Sequence, residues 1–285
     1  MLTKRGNPLE PAFTTSHGIL FADDCLAVLE SMKSNSVDCV FTDPPFNVGK
    51  DYNNGYNDNI PKSDYFEWSR KWLNECAIVL KPGGSFFLYA LPELNIKFGN
   101  FLNEVLSFRH WIAITMKGGY RRGKKLYPAH YGLLYYSKGT PKTFNTLRVP
   151  IPVCRHCGKE IKDYGGHRNK LNPEGLNLTD FWDDTSPNRH KKFKVRPGVN
   201  ELKLIIPERA ILISTQPGDI VFDPFGGGGT TYQAAEQNHR NWIGAELYDS
   251  EYIKKRMKEK FQLSFGLKPE FDYSEVFYQY ENYNY

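Results

Sequence analysis

The chain of 285 residues is short of cysteine, of long apolar runs and of any strong excess of one charge, and each shortage removes a class of protein. Its five cysteines, Cys25, Cys39, Cys76, Cys154 and Cys157, are scattered and odd in number. That argues against a disulfide scaffold and for a reducing compartment. No run approaches the ~18 consecutive apolar residues of a membrane span. Residues 1–17 lack the apolar segment of a secretion signal, so a cytoplasmic protein with no membrane partner is expected. With 40% hydrophobic and 24% charged residues, wholesale disorder is not expected, and the length supports one sizeable core, or one core with an inserted smaller unit.

The net charge of +5 says little about a partner until it is resolved along the chain. Residues 117–196 hold 18 Lys and Arg against 6 Asp and Glu, whereas the remainder holds 19 against 26. One internal block is therefore strongly basic, as expected where one side of a protein meets a polyanion. Lys117, Arg121, Arg122, Lys124 and Lys125 form one cluster, interleaved with glycines. Arg189, His190, Lys191, Lys192, Lys194 and Arg196 form a second. Flexible basic loops suit phosphate contacts; solvated surface loops are the plainer alternative.

Around this block, strand patterns alternate with helical ones. Residues 37–41 read as a strand. Tyr65, Trp68, Trp72, Leu73, Cys76, Val79 and Leu80 then fall at helical spacing, with Asp64 and Glu67 as a capping box and Lys81-Pro82-Gly83-Gly84 as the stop. Strands follow at 86–89, 111–115 and 131–136, and periodicity disappears from 138 to 196. A helix near 207–214, a strand at 219–222, a helix at 231–237 and a strand at 242–245 complete the pattern. This order predicts an α/β fold with a largely parallel sheet. The aromatic, acidic tail from Ser264 is compatible with packing on the core, on a partner, or with neither.

Two turns carry chemistry. In the first, the apolar run Ile220-Val221-Phe222 delivers Asp223, Pro224 and Phe225, then Gly226, Gly227, Gly228, Gly229, Thr230 and Thr231 at a helix start. Glycines let a backbone approach a ligand, and a helix start offers free N–H donors. No third glycine completes a Gly-x-Gly-x-x-Gly frame and no Gly-Lys-Ser/Thr follows, so neither a dinucleotide nor a phosphate loop is formed. An acid at the strand end repels phosphate and suits a cation such as an α-ammonium group. Glu246, 17 residues after Gly229, has the spacing of an acid on ribose hydroxyls. The pattern fits a nucleoside with a positively charged amino-acid end, as in S-adenosylmethionine. A merely structural glycine turn is the alternative.

In the second turn, Pro44 and Pro45 restrict the backbone so that Asp43 is held rigidly at a strand end, beside the Pro44 carbonyl and the Phe46 ring. A carboxylate, a carbonyl and an aromatic face can grip a planar base bearing an exocyclic amine. Accepting the amine hydrogens helps localise its lone pair for attack on a sulfonium methyl group. On its own, a Pro-Pro turn is also a plain structural device.

Together, Asp43-Pro44-Pro45-Phe46 and Asp223-Pro224-Phe225-Gly226-Gly227-Gly228-Gly229 resemble the motifs of DNA amino-methyltransferases. The order of catalytic motif, basic block and cofactor motif is similar to the β-class, a circularly rearranged version of the fold. The resemblance runs from about residue 17 to 260. It implies S-adenosylmethionine as cofactor, double-stranded DNA as substrate, and a seven-stranded sheet with one antiparallel strand. It also implies a flipped base stacked on Phe46, with Asp43, Pro44 and Pro45 around the target amine. Asp24 matches the acid that reaches the cofactor adenine, with Cys25 beside it. Asn200 lies in the segment that touches the cofactor carboxylate. By the same resemblance, residues 1–137 form the catalytic half, 138–196 the target-recognition segment, 197–263 the cofactor half and 264–285 a tail. A homodimer and a cognate restriction endonuclease are the partners it implies. Asp at the head of the catalytic motif leans toward adenine N6, with cytosine N4 the alternative. No Pro-Cys nucleophile is visible for methylation at cytosine C5. A nucleic-acid-binding protein with a degenerate cofactor pocket is the alternative from another class. Cys154-Arg155-His156-Cys157 is half a zinc knuckle; without its second half, reduced thiols are expected and no metal.

Overall fold

The computed structural model describes residues 9–49, 58–116, 123–124, 126, 128–154, 156–160, 165–166, 170–185, 201–248, 250–261 and 271–278. The strands are β1 (Pro11–Thr14), β2 (Gly18–Phe21), β3 (Val37–Thr42), β4 (Leu80–Ala90), β5 (Ser107–Thr115), β6 (His130–Ser137), β7 (Arg148–Val149), β8 (Leu176–Asn177), β9 (Phe181–Trp182), β10 (Ile220–Asp223) and β11 (Asn241–Ala245). The α-helices are α1 (Cys25–Ser31), α2 (Lys62–Val79), α3 (Pro92–Val105), α4 (Ile205–Ser214), α5 (Thr230–Gln237) and α6 (Ser250–Phe261).

The main sheet has the order β1-β2-β11-β10-β3-β4-β6-β5-β9. Within it, β2, β11, β10, β3, β4 and β5 run parallel, and β6 is antiparallel to both its neighbours. Those seven strands match the expected sheet, but among the described residues the sheet is nine strands wide. β1 adds antiparallel to β2, and β9 adds parallel to β5. The two additions cover edges that would otherwise present unpaired backbone groups.

Alternate residues of each central strand feed opposite cores, as the period of two requires. Val40, Phe86, Leu88, Phe222 and Ile243 pack on the face covered by α1, α2 and α3, with Val28, Trp72, Cys76 and Phe98. Cys39, Phe41, Phe87, Val221 and Trp242 pack on the other face with Ile206, Ile211, Tyr232 and Ile253. Burial on both faces is why these strands read as continuous apolar runs.

Helix α2 corrects one local expectation. It opens at Lys62 behind Pro61, whose side chain makes no cap, so Asp64 and Glu67 form no capping box. The N-cap is the proline, three residues before Asp64, and its restricted φ sets the entry geometry, so Asp64 sits inside the first turn. At the other end α2 passes directly into β4. Lys138 Nζ donates to the carbonyls of Ala77 and Leu80, each at 2.8 Å, and so caps the helix C-terminus with a cation.

The region of lost periodicity is fastened to the α/β body where it is described. Asn145 donates to the carbonyls of Leu212 and Thr215 at the end of α4. Leu147 and Leu178 pack on the second core, β7 pairs with β8, and Trp182 of β9 is fully buried under the Arg209 guanidinium. From the tail, the Tyr273 hydroxyl donates to the carbonyls of His17 and Trp242, while Val276 and Phe277 enter the first core. Among the described residues no helix is long and apolar enough to cross a membrane.

Candidate functional site

The chain crosses from β10 to β11 on one side of the sheet and from β3 to β4 on the other, so the β3–β10 seam is the topological switch point. Ligands of open α/β sheets bind beyond the carboxyl ends of the strands at such a point. The register Val221–Cys39 and Phe222–Val40 brings the strand ends bearing Asp43 and Asp223 side by side across that seam. Asp24 follows β2 and Glu246 follows β11 at the same edge. The sheet thus gathers four predicted acids from distant parts of the chain.

Asp223 is buried, and it accepts the Phe225 N–H at 3.0 Å and a hydrogen bond from the Thr231 side chain. Burial holds its carboxyl well above the usual carboxylate range, and the charges of Asp43 and Glu246 push in the same direction. A cation entering this cluster would relieve all three. Glu246 accepts the Gly227 N–H at 2.7 Å on one oxygen and the Tyr248 N–H at 3.3 Å on the other. A carboxylate oxygen can accept more than one hydrogen bond, the property an acid on ribose hydroxyls needs. Asp24 caps α1 by accepting the Leu26 N–H at 2.8 Å. The Cys25 side chain is buried in the first core, and that burial raises its thiol pKa.

The glycine turn follows a path that a side chain would strain or block. Gly227 and Gly229 have φ of 52° and 75°, and Gly229 is the N-cap of α5. A Cβ on Gly226 would lie 2.7 Å from the Tyr232 hydroxyl, which is itself fixed by the carbonyls of Asp223 and Ala245. Thr230 and Thr231 are buried in the first turn of α5. Phe225 packs edge-on against Trp72 and Trp68, with ring centroids 5.1 and 5.7 Å apart, and so anchors the turn to α2.

On the β3 side, Pro44 is buried while Asp43, Pro45 and Phe46 are half-buried. The Pro45 carbonyl accepts from the Tyr65 hydroxyl at 2.7 Å. Phe46 faces Tyr131 with centroids 6.5 Å apart, and Tyr131 stacks on Tyr89 at 5.0 Å. The Tyr89 hydroxyl pKa is raised by burial and by the Asp43 charge. Asp43 therefore lies near a run of aromatic rings, Phe46, Tyr131 and Tyr89.

Several contributors escape sequence reading: Tyr65, Tyr89, Tyr131, Asp58, and the pair Glu201–Arg256. Arg256 of α6 donates to the Gly228 carbonyl, to Gln233 and to Glu201, with both members of the ion pair buried. Of the basic clusters, Lys124 is exposed. Lys117, Arg121, Arg122, Lys125, Arg189, Lys191, Lys192 and Asn200 lie outside the described residues. Cys154 and Cys157 flank a turn closed by the Gly158 N–H on the Cys154 carbonyl at 2.8 Å. Among the described residues no three His, Cys, Asp or Glu side chains cluster to hold a metal.

Residues 37–258 match the family described as DNA methylase. The chain is 48% identical over 253 residues to the type II methyltransferase M.BamHI of Bacillus amyloliquefaciens. That alignment takes in 88% of this chain but only 60% of the relative's length. Among solved structures it resembles the PvuII DNA methyltransferase, described as cytosine-N4-specific, with TM-score 0.59 and 23% identity over 86% of each chain. It also resembles M1.HpyAVI in complex with S-adenosylmethionine, with TM-score 0.55 and 21% identity over 84% of this chain and 98% of that one.

Proposed function

Because this chain belongs to the DNA methylase family, we propose that it transfers a methyl group from S-adenosylmethionine to adenine N6 of a base flipped out of double-stranded DNA. The observation that carries the reading is the seam itself, where Asp43 and the rings of Phe46 and Tyr131 adjoin Asp223 and the glycine turn. The donor set fits the cofactor: a buried carboxylate flanked by two more suits a cation, and Glu246 suits a ribose. Asp223 would hold the methionine end, Glu246 the ribose, Asp24 the adenine side, and the turn from Gly226 to Gly229 the backbone approach. When bound, the cofactor supplies an electrophilic methyl group on a positively charged sulfur.

The chain's own groups do the rest. Asp43 and the Pro44 carbonyl accept the two hydrogens of the exocyclic amine, which localises its lone pair and orients it. Phe46 stacks on the flipped base, with Tyr131 opposite. The proton released on transfer passes first toward the Asp43 carboxylate. The type II name of the 48% identical relative supports a cognate restriction endonuclease as the cellular counterpart, and a homodimer is the proposed assembly.

The test is labelled methyl transfer to mixed-sequence DNA followed by nucleoside analysis. N6-methyldeoxyadenosine is expected. N4-methyldeoxycytidine would move the assignment to cytosine, and cofactor binding with no transfer would make the protein a binding module. The basic block of residues 117–196 supports a steep salt dependence. If about six phosphates are neutralised, DNA affinity should fall on the order of 10³-fold between roughly 50 and 200 mM salt. Cofactor affinity should barely change over that range, and equal sensitivity of the two would exclude the block as the phosphate contact.

A further inference from the structure

The backbone immediately after Phe46 is held by a set of bonds that the chemistry above does not use. Asn47 adopts φ of 53°, a left-handed conformation that side-chain-bearing residues rarely take. Its amide brackets Ile60, donating from Nδ2 to the Ile60 carbonyl at 2.9 Å and accepting the Ile60 N–H on Oδ1 at 2.9 Å. Asp58 faces it with both carboxylate oxygens. Oδ1 accepts the Asn47 N–H at 2.8 Å and Oδ2 the Val48 N–H at 3.1 Å, and the Asp58 carbonyl accepts the Gly49 N–H at 2.7 Å. Asp58 is only 3% exposed, so its carboxylate is withdrawn from water and needs the bonds these amides donate.

Closing a loop needs only backbone pairing. Here a buried carboxylate is aimed at the two N–H groups that follow the stacking ring. The result fixes a strained residue at the one point where the chain direction sets how Phe46 projects. Together with the Tyr65 hydroxyl on the Pro45 carbonyl, it pins the turn from the residue before Phe46 to the third residue after it.

We propose that Asp58 and Asn47 form a clasp that positions Phe46 and the Asp43 turn for transfer, as positioning residues rather than groups that touch the base. The inference rests on the methyl-transfer reading. The bonds of the clasp lie on the β3 side of the site, so its loss should affect the chemical step and spare cofactor binding.

Asn47→Gly separates this role from a structural one. Glycine accepts positive φ without strain, so the fold is retained while both amide bonds are lost. The single-turnover transfer rate is expected to fall about 10–100-fold, because small misplacements near reacting groups have large effects. S-adenosylhomocysteine affinity by calorimetry should stay within about twofold, as for the wild type. Asp58→Asn, which keeps one acceptor, should give a smaller loss of rate than Asp58→Ala. An active wild type whose Asn47→Gly variant transfers within about twofold of it overturns the clasp. Loss of cofactor affinity in parallel with rate also overturns it, since that marks general damage. A wild type that transfers no methyl group overturns the functional reading instead, and the clasp's role with it.

Discussion

Asp43→Ala should slow methyl transfer by about 10²–10⁴-fold while leaving the cofactor bound. The carboxylate is the acceptor that orients the target amine, and alanine leaves that amine with the Pro44 carbonyl alone. Asp43→Asn should fall between, because it keeps one carbonyl oxygen but turns an N–H₂ group on the amine. The same variant carries a second signature that a damaged fold would not produce. In the free protein the Asp43 charge helps to hold the Asp223 pKa up, behind the larger effect of burial. A cation binds the ionised form of Asp223, so cofactor affinity should rise as pH rises through the ionisation of that group. Removing Asp43 lowers the Asp223 pKa and should shift this rise to lower pH. The sign for stability is opposite. A buried acid with a raised pKa stabilises the free protein at low pH, and that contribution is lost as pH rises through its folded-state pKa. Calorimetric titration of wild type and Asp43→Ala across pH measures the shift; full transfer activity in the variant would remove Asp43 from the mechanism.

Glu201→Ala should have the largest effect on stability. Arg256 would be left as a buried charge with its carboxylate gone, a loss of about 3–5 kcal/mol. Denaturant unfolding of the single variant reads this directly. Replacing both Glu201 and Arg256 with methionine should recover most of that stability, because a well-packed apolar pair tolerates burial better than one stranded ion. It should not recover cofactor affinity. The guanidinium also holds the Gly228 carbonyl and Gln233, so the apolar pair leaves the glycine turn without its tether. Cofactor affinity restored together with stability would reduce the pair to a packing role.

What the sequence discloses of this site follows from how each residue is placed. Asp43, Asp223 and Glu246 each end an apolar run, and Asp43 and Asp223 are followed directly by proline, so strand, acid and, for those two, punctuation occur together in the letters. Asp58 has no such frame; among the asparagines of residues 53–59 it reads as loop. Tyr131 looks like one more aromatic in a strand, and its contact with Phe46 exists only because β6 lies beside β4. Arg256 meets Glu201 across 55 residues and reads as one of several helix cations. The two extra strands were beyond periodicity for a simpler reason. β1 has four residues and β9 has two, too few to display alternation. The tail could be assigned only once Tyr273 had carbonyls to reach.

The seam between β3 and β10 has a consequence for how such a protein can change over generations. Two acids 180 positions apart in the chain are neighbours because two strands pair, whatever length of chain joins them. The segment between them is tethered on one side by Asp184 to Arg209 and on the other by Glu201 to Arg256. Chain outside the paired strands does not set their register, so loops can be exchanged without moving either strand. On the proposed reading, the choice of DNA target and the chemistry performed on it are then separately heritable. A lineage could acquire a new recognition sequence by replacing one stretch of chain while inheriting its reaction centre intact.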